Sequence, residues 1–112
     1  MAGEVNGRSV EAFPDSGADE SFVSAAFASE LGMKGKRRSQ REIRLANQKI
    51  VQSPGYVDLT WKFDGEDRSQ TLKCWILPGC VHELIIGNGF MRASKTLTKF
   101  LDRIKSKILG IM

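Results

Sequence analysis

Across positions 56–63, Val57, Leu59, Trp61 and Phe63 alternate with Tyr56, Asp58, Thr60 and Lys62. A period of two sustained over eight residues predicts a strand with one buried face. Asp64-Gly65 turns that strand into another over positions 70–77, which Pro78-Gly79 ends. Glu83-Leu84-Ile85-Ile86-Gly87 reads as a short buried strand closing on a glycine. Upstream, Asn6-Gly7 between Val5 and Val10 supplies the positive φ angles of a tight hairpin, whose second strand is expected over positions 9–13. Phe22-Val23 forms a further short strand. Ser24 then caps a helix over positions 25–31, with Gly32 as its stop and Phe27 and Leu31 sharing the buried face. Positions 43–51 alternate about Asn47-Gln48 as a second hairpin, and Pro54-Gly55 is another turn. The pattern is that of an all-β domain with one or two short helices. In the tail, Leu97, Leu101, Ile104, Ile108 and Ile111 recur at helical spacing while positions 96–100 also alternate as a strand would, and periodicity leaves both readings open.

A chain of 112 residues holds one domain with a modest core. Its 41% apolar and 27% charged residues are those of an ordinary soluble protein. The net charge of +4 permits an acidic partner without demanding one. Two cysteines without a signal peptide suggest reduced thiols in a cytoplasmic setting. No apolar run is long enough to span a bilayer, and there is no internal repeat. Positions 34–44 carry six basic residues against Glu42 alone. No aromatic or glycine-rich cradle accompanies them, so a solvated loop is preferred to a phosphate site. Cys74, Cys80 and His82 lack a fourth ligand, which favours buried thiols over a metal centre.

The candidate chemistry sits at Phe13-Pro14-Asp15-Ser16-Gly17-Ala18-Asp19-Glu20. An apolar approach ends in a carboxylate followed by a hydroxyl residue and a glycine, a setting suited to acid–base work on water. Asp19, Asp58, Asp64, Asp67 and Asp102 all lack that setting. The motif alone is short, arising by chance in about one chain in twenty of this length.

Taken with the Asn6-Gly7 hairpin before it and Leu84-Ile85-Ile86-Gly87-Asn88-Gly89-Phe90-Met91 after it, the chain resembles the retroviral-type aspartic proteases, the retropepsins, and their single-domain cellular and retrotransposon relatives. Thr96-Leu97-Thr98-Lys99-Phe100 follows where that family places a C-terminal interface strand. The resemblance implies a retropepsin-like closed β barrel or sandwich over residues 1–100, half of a two-fold homodimer, with residues 101–112 as an amphipathic extension. It implies an aspartic endopeptidase in which Asp15 and its symmetry mate share one proton and activate a water. Ser16 would form the hydroxyl lattice beneath the pair, and Gly17 would let substrate backbone approach. Ala18 and Asp19 would meet the substrate main chain. The hairpin over positions 43–51 would be a flap with Ala46, Asn47 and Gln48 near its tip, and Val81, Glu83 and Ile85 would line the cleft wall. The implied partners are a second copy and a peptide or polyprotein substrate, with no cofactor, metal or membrane and no expected nucleic acid.

The sequence departs from the family pattern at Pro14, which removes a backbone donor, at the glycine-poor flap tip, and at Asn88, where viral members often carry arginine. Four residues before Val5 leave no room for the family's first interface strand, so the apolar stripe of the tail is expected to pack at the dimer interface. Two other classes compete. One is a catalytically inactive module of the same fold that binds a peptide in its cleft; the other is a small basic nucleic-acid-binding domain.

Overall fold

Asn6 and Gly7 adopt φ of 50° and 84°, the left-handed pair that lets a two-residue turn follow the twist of its strands. They join β1 (Ala2–Val5) to β2 (Arg8–Glu11) with Val5 opposite Arg8. The computed structural model describes residues 1–36, 38–45 and 47–94. After the first hairpin come β3 (Phe13–Asp15), β4 (Ser21–Ser24), α1 (Ala25–Glu30), β5 (Arg41–Arg44), β6 (Ile50–Ser53), β7 (Tyr56–Phe63), β8 (Ser69–Leu77), β9 (Leu84–Gly87) and α2 (Asn88–Ala93). The expected tail elements and the extension over 101–112 lie outside the described residues.

Among the described residues, seven strands form one sheet in the order β2-β1-β7-β8-β4-β9-β3. At about 4.8 Å per strand, a flat sheet of that order would hold β2 and β3 roughly 29 Å apart. Yet Ala12 alone joins them, and two Cα steps reach about 7.6 Å. The sheet must therefore curl into a nearly closed barrel. This corrects the expectation of one strand over positions 9–13: the chain breaks at buried Ala12 and leaves β1 for the opposite edge, where β3 runs parallel to β9. Pro14 is accommodated because β3 is an edge strand, where a ladder donor is dispensable.

The inward faces of these strands make the main core, with Leu59, Leu72, Leu84 and Ile86 fully buried among them. Trp61 lies at its centre, and its indole Nε1 has no hydrogen-bond partner among the described residues. An orphaned donor costs about 1–3 kcal/mol. Burying an indole of some 200 Å2 contributes about 5 kcal/mol, so packing wins. Cys74 also faces the barrel interior, where burial, with the nearby Asp58 charge, pushes its thiol far above the ordinary range. Helix α1 forms as its caps direct: Ser24 Oγ accepts from the Phe27 N–H at 3.0 Å, Leu31 is the C-cap and Gly32 takes φ of 70°.

The hairpin β5–β6 makes its own two-stranded sheet, with Ile43 opposite Val51. Ile43 is buried with Trp75 and Leu77 in a second apolar cluster, against which Leu45, Val51, Phe22, Tyr56 and Cys80 pack. Strand β8 is thus covered on both faces, by the barrel core on one side and by this hairpin on the other.

Two glycines separate packing from backbone freedom. A Cβ on Gly3 would stand 2.4 Å from the Trp61 ring, whereas one on Gly7 meets open space but keeps a positive φ. Gly3→Ala is expected to lower stability by about 1–3 kcal/mol and Gly7→Ala by about 1 kcal/mol. Urea unfolding of both variants checks the order; equal losses would mean that Trp61 yields freely to a methyl group.

Candidate active site

Strand β3 ends at Asp15, and the chain turns at once. The Gly17 N–H donates to Asp15 Oδ1 at 3.0 Å and the Ala18 N–H to the Asp15 carbonyl at 3.3 Å. This side-chain-to-backbone turn fixes the plane of the carboxylate. The following loop is threaded against the start of α2. Gly87 N–H donates to Ser21 Oγ at 3.0 Å, Asn88 N–H to the Ala18 carbonyl at 2.6 Å, and Gly89 N–H to the Asp19 carbonyl at 3.0 Å. Loop carbonyls thereby satisfy donors that a helix start leaves open, where Gly87 offers no side-chain cap. The approach requires glycine twice. A Cβ on Gly87 would lie 2.2 Å from the Glu20 carbonyl oxygen, and one on Gly89 would lie 2.6 Å from that of Asp19.

Strand register places the rest. Phe13 pairs with Ile85, Ile85 with Phe22, Phe22 with Trp75, and Trp75 with Tyr56. Paired residues share a face of a sheet, so these five form a transverse apolar row on the side away from the barrel core. Asp15 stands two residues beyond Phe13 on that same face, beside Gly87. The hairpin covers Trp75, Phe22 and Tyr56. At the Asp15 end the row is open: Phe13 is 45% exposed and stacks on the His82 ring at 4.3 Å. The result is an apolar floor, partly roofed, with a turn-held carboxylate at its open end.

Of the residues predicted for the site, Asp15, Ser16, Gly17, Ala18 and Asp19 share one loop. Asp15 and Ala18 are half-buried, whereas Ser16, Gly17 and Asp19 are exposed. Asn47 and Gln48 are exposed at the hairpin turn, where Asn47 Oδ1 accepts from the Lys49 N–H and Gln48 Oε1 from Arg44 Nη1. Ala46 lies outside the described residues. Ile85 belongs to the floor. Val81 is 95% exposed, and Glu83 supplies its carbonyl to the Ser24 N–H at 3.0 Å.

Sequence reasoning gave no site role to Phe13, Phe22, His82, Glu20, Arg41 or Trp75, because what unites them is strand register and side-chain contact between segments distant in the chain. The basic stretch is not merely solvated. Lys36 pairs with Asp58 at 3.3 Å, Arg41 grips Glu20 with its two Nη atoms at 3.0 and 2.8 Å, and Arg44 bonds Gln48. Arg37 lies outside the described residues. Cys74 points into the barrel, Cys80 packs under the hairpin and His82 stacks on Phe13, so the three do not converge. Among the described residues no group of three or more His, Cys, Asp or Glu side chains gathers to hold a metal, and no helix is long and apolar enough to cross a membrane.

Comparison with known proteins gives two findings. The aspartyl protease family model matches residues 1–90. The fold is similar to the crystal structure of the retroviral protease-like domain of Ddi1 from Leishmania major, at 19% sequence identity and a TM-score of 0.60, covering 83% of this chain and 74% of that one. No curated protein matches the chain significantly.

The threaded loop makes a local prediction. Ser21→Ala removes the acceptor of a buried N–H and should cost about 1–3 kcal/mol. Gly87→Ala, which forces the loop backbone away, should cost more and shift the amide resonances of residues 15–20. If both variants unfold at the parent's urea midpoint, the loop is not held from below in this way.

Proposed function

Since the chain belongs to the aspartyl protease family and has the retropepsin-like fold, we propose that it is an aspartic endopeptidase acting as a homodimer, with one Asp15 from each copy. The observation that carries this reading is the position of Asp15, turn-held at the open end of an apolar floor roofed by a hairpin. One carboxylate is too little for the chemistry. Attack of water on an amide needs a base for the water proton and an acid for the carbonyl oxygen, and two adjacent carboxyls holding one proton supply both. The chain contributes one aspartate in that setting, so a two-fold axis beside Asp15 supplies the other.

In the proposed reaction, the ionised carboxylate removes a proton from the water as its oxygen bonds the scissile carbon. The protonated carboxyl meanwhile gives its proton to the carbonyl oxygen. Proton return to the amide nitrogen then breaks the C–N bond and leaves an acid and an amine. The Gly17 N–H on Oδ1 holds each carboxyl in plane, so no reorientation is needed as charge moves. An extended peptide at the open end of the floor meets Phe13 and Ile85, which favours apolar residues flanking the cleaved bond. Asp19 and the side-chain amide N–H groups of Asn47 and Gln48 are among the exposed polar groups that face the peptide's main chain in this reading. We assign the domain a reducing, cytoplasmic setting, since Cys74 and Cys80 are free thiols.

The test is cleavage of a peptide library. Asp15→Asn should lower turnover by about a thousandfold or more while leaving fold and dimer intact. A variant that cleaves like the parent removes Asp15 from the chemistry. A chain that binds peptides in the cleft but cuts none is the non-catalytic module instead. The rate should fall on both sides of an optimum, because a pair sharing one proton works with one carboxyl protonated and the other ionised. A steady rise into alkaline pH would rule out a shared proton.

A further inference from the structure

Among the described residues, the hairpin β5–β6 shares no backbone ladder with the barrel. Main-chain bonds flank its two ends, from the Lys36 N–H to the Tyr56 carbonyl and from the Ile76 N–H to the Gly55 carbonyl; between them side chains set its height above the floor, and apolar contacts beneath it are non-directional. A directional contact exists at its entry. Arg41, the first residue of β5, presents both Nη atoms to Glu20, at 3.0 Å to Oε1 and 2.8 Å to Oε2. Its guanidinium also lies 4.4 Å above the Trp75 ring, and Trp75 Nε1–H donates to Glu20 Oε1 at 3.1 Å. Each of the three residues thus touches the other two. At the hairpin's exit, Tyr56 meets Trp75 edge-on at 5.4 Å, and the Lys73 ammonium lies 4.3 Å from the Tyr56 ring and 5.2 Å from that of Trp75. Both legs of the hairpin are pinned to one indole.

The third corner of this triangle is built on the loop that carries the carboxylate. Glu20 ends the loop that Asp15 begins, and its backbone abuts Gly87, the residue paired with Asp15. We infer that Glu20, Arg41 and Trp75 form a hinge clamp that fixes the lid relative to the Asp15 loop. They are positioning residues and touch no reacting atom. A fork on a carboxylate and a plane on an indole resist both sliding and tilting, which a single point charge would not. The kinetic part of this inference rests on the endopeptidase reading; the mechanical part does not.

The experiment uses Arg41→Lys, which keeps the charge but loses the fork and the plane, Glu20→Gln, and the two combined. Hydrogen exchange of the hairpin amides should quicken about tenfold in each single variant and no further in the double than in Arg41→Lys, because both substitutions break the same fork. Amides of β7 and β8 should keep the parent's protection. With a peptide substrate, KM should rise severalfold while kcat stays within about twofold. The exchange of hairpin amides remaining as in the parent, additive effects in the double, or faster exchange throughout β7 and β8 would each overturn the clamp. A parent chain that cleaves nothing yet shows the coupled exchange pattern keeps the clamp and refutes the enzyme. Cleavage with a hairpin indifferent to both substitutions does the reverse.

Discussion

Ala12 has to connect two strands that stand at opposite edges of a seven-stranded sheet. That short link leaves the sheet no option but to curl, and closure has two effects. It creates an interior in which Trp61, Leu59 and Leu72 are sealed. It also swings β3 against β9, bringing Asp15 next to Gly87 although they are far apart in the chain. The site is thus a product of closure, held where two stretches of backbone pass closer than any side chain would permit.

Strand β8 divides the molecule into two apolar regions of unequal depth. Cys74 and Ile76 face the barrel, while Trp75 and Leu77 face the hairpin. Every residue from Cys74 to Leu77 is buried, so alternation of character is lost there while alternation of destination remains. The larger region is completed by two helices and secures the fold. The smaller one rests on a few side chains and one ion-paired fork, whose groups are both about 40% exposed. An ion pair that exposed contributes at most about 1 kcal/mol by charge alone; its bidentate geometry and the indole beneath it matter more than its Coulomb energy.

Much of this was readable from the residues, and the remainder was hidden for physical reasons. The Asn6-Gly7 turn, the strand over 56–63, the Ser24 cap and the glycine stop of α1 are local devices, encoded within a few positions, and all appear as expected. The retropepsin-like fold was likewise accessible, through Asp15-Ser16-Gly17 and the later Gly87-Asn88-Gly89. The break at Ala12 was not, because positions 9–13 hold neither glycine nor proline to mark it. The apolar floor was invisible because it runs across strands rather than along them. Arg41 passed for a solvated cation since its partners, Glu20 and Trp75, are distant in sequence, and a charge run reveals nothing about which member finds a carboxylate.

The separateness of the β5–β6 ladder also bears on how such a domain can change over time. Because, among the described residues, no ladder of main-chain hydrogen bonds ties that hairpin to the barrel strands, its turn and outward residues, from Asn47 to Ile50, lie on a unit that bears little of the framework. Insertions or exchanges at that tip leave the Ala12 link, the Gly87 crossing and the Asp15 turn untouched. Selection can therefore remodel what the cleft accepts without reopening the question of whether the chain folds, a modularity set by hydrogen-bond topology rather than by any boundary in the sequence.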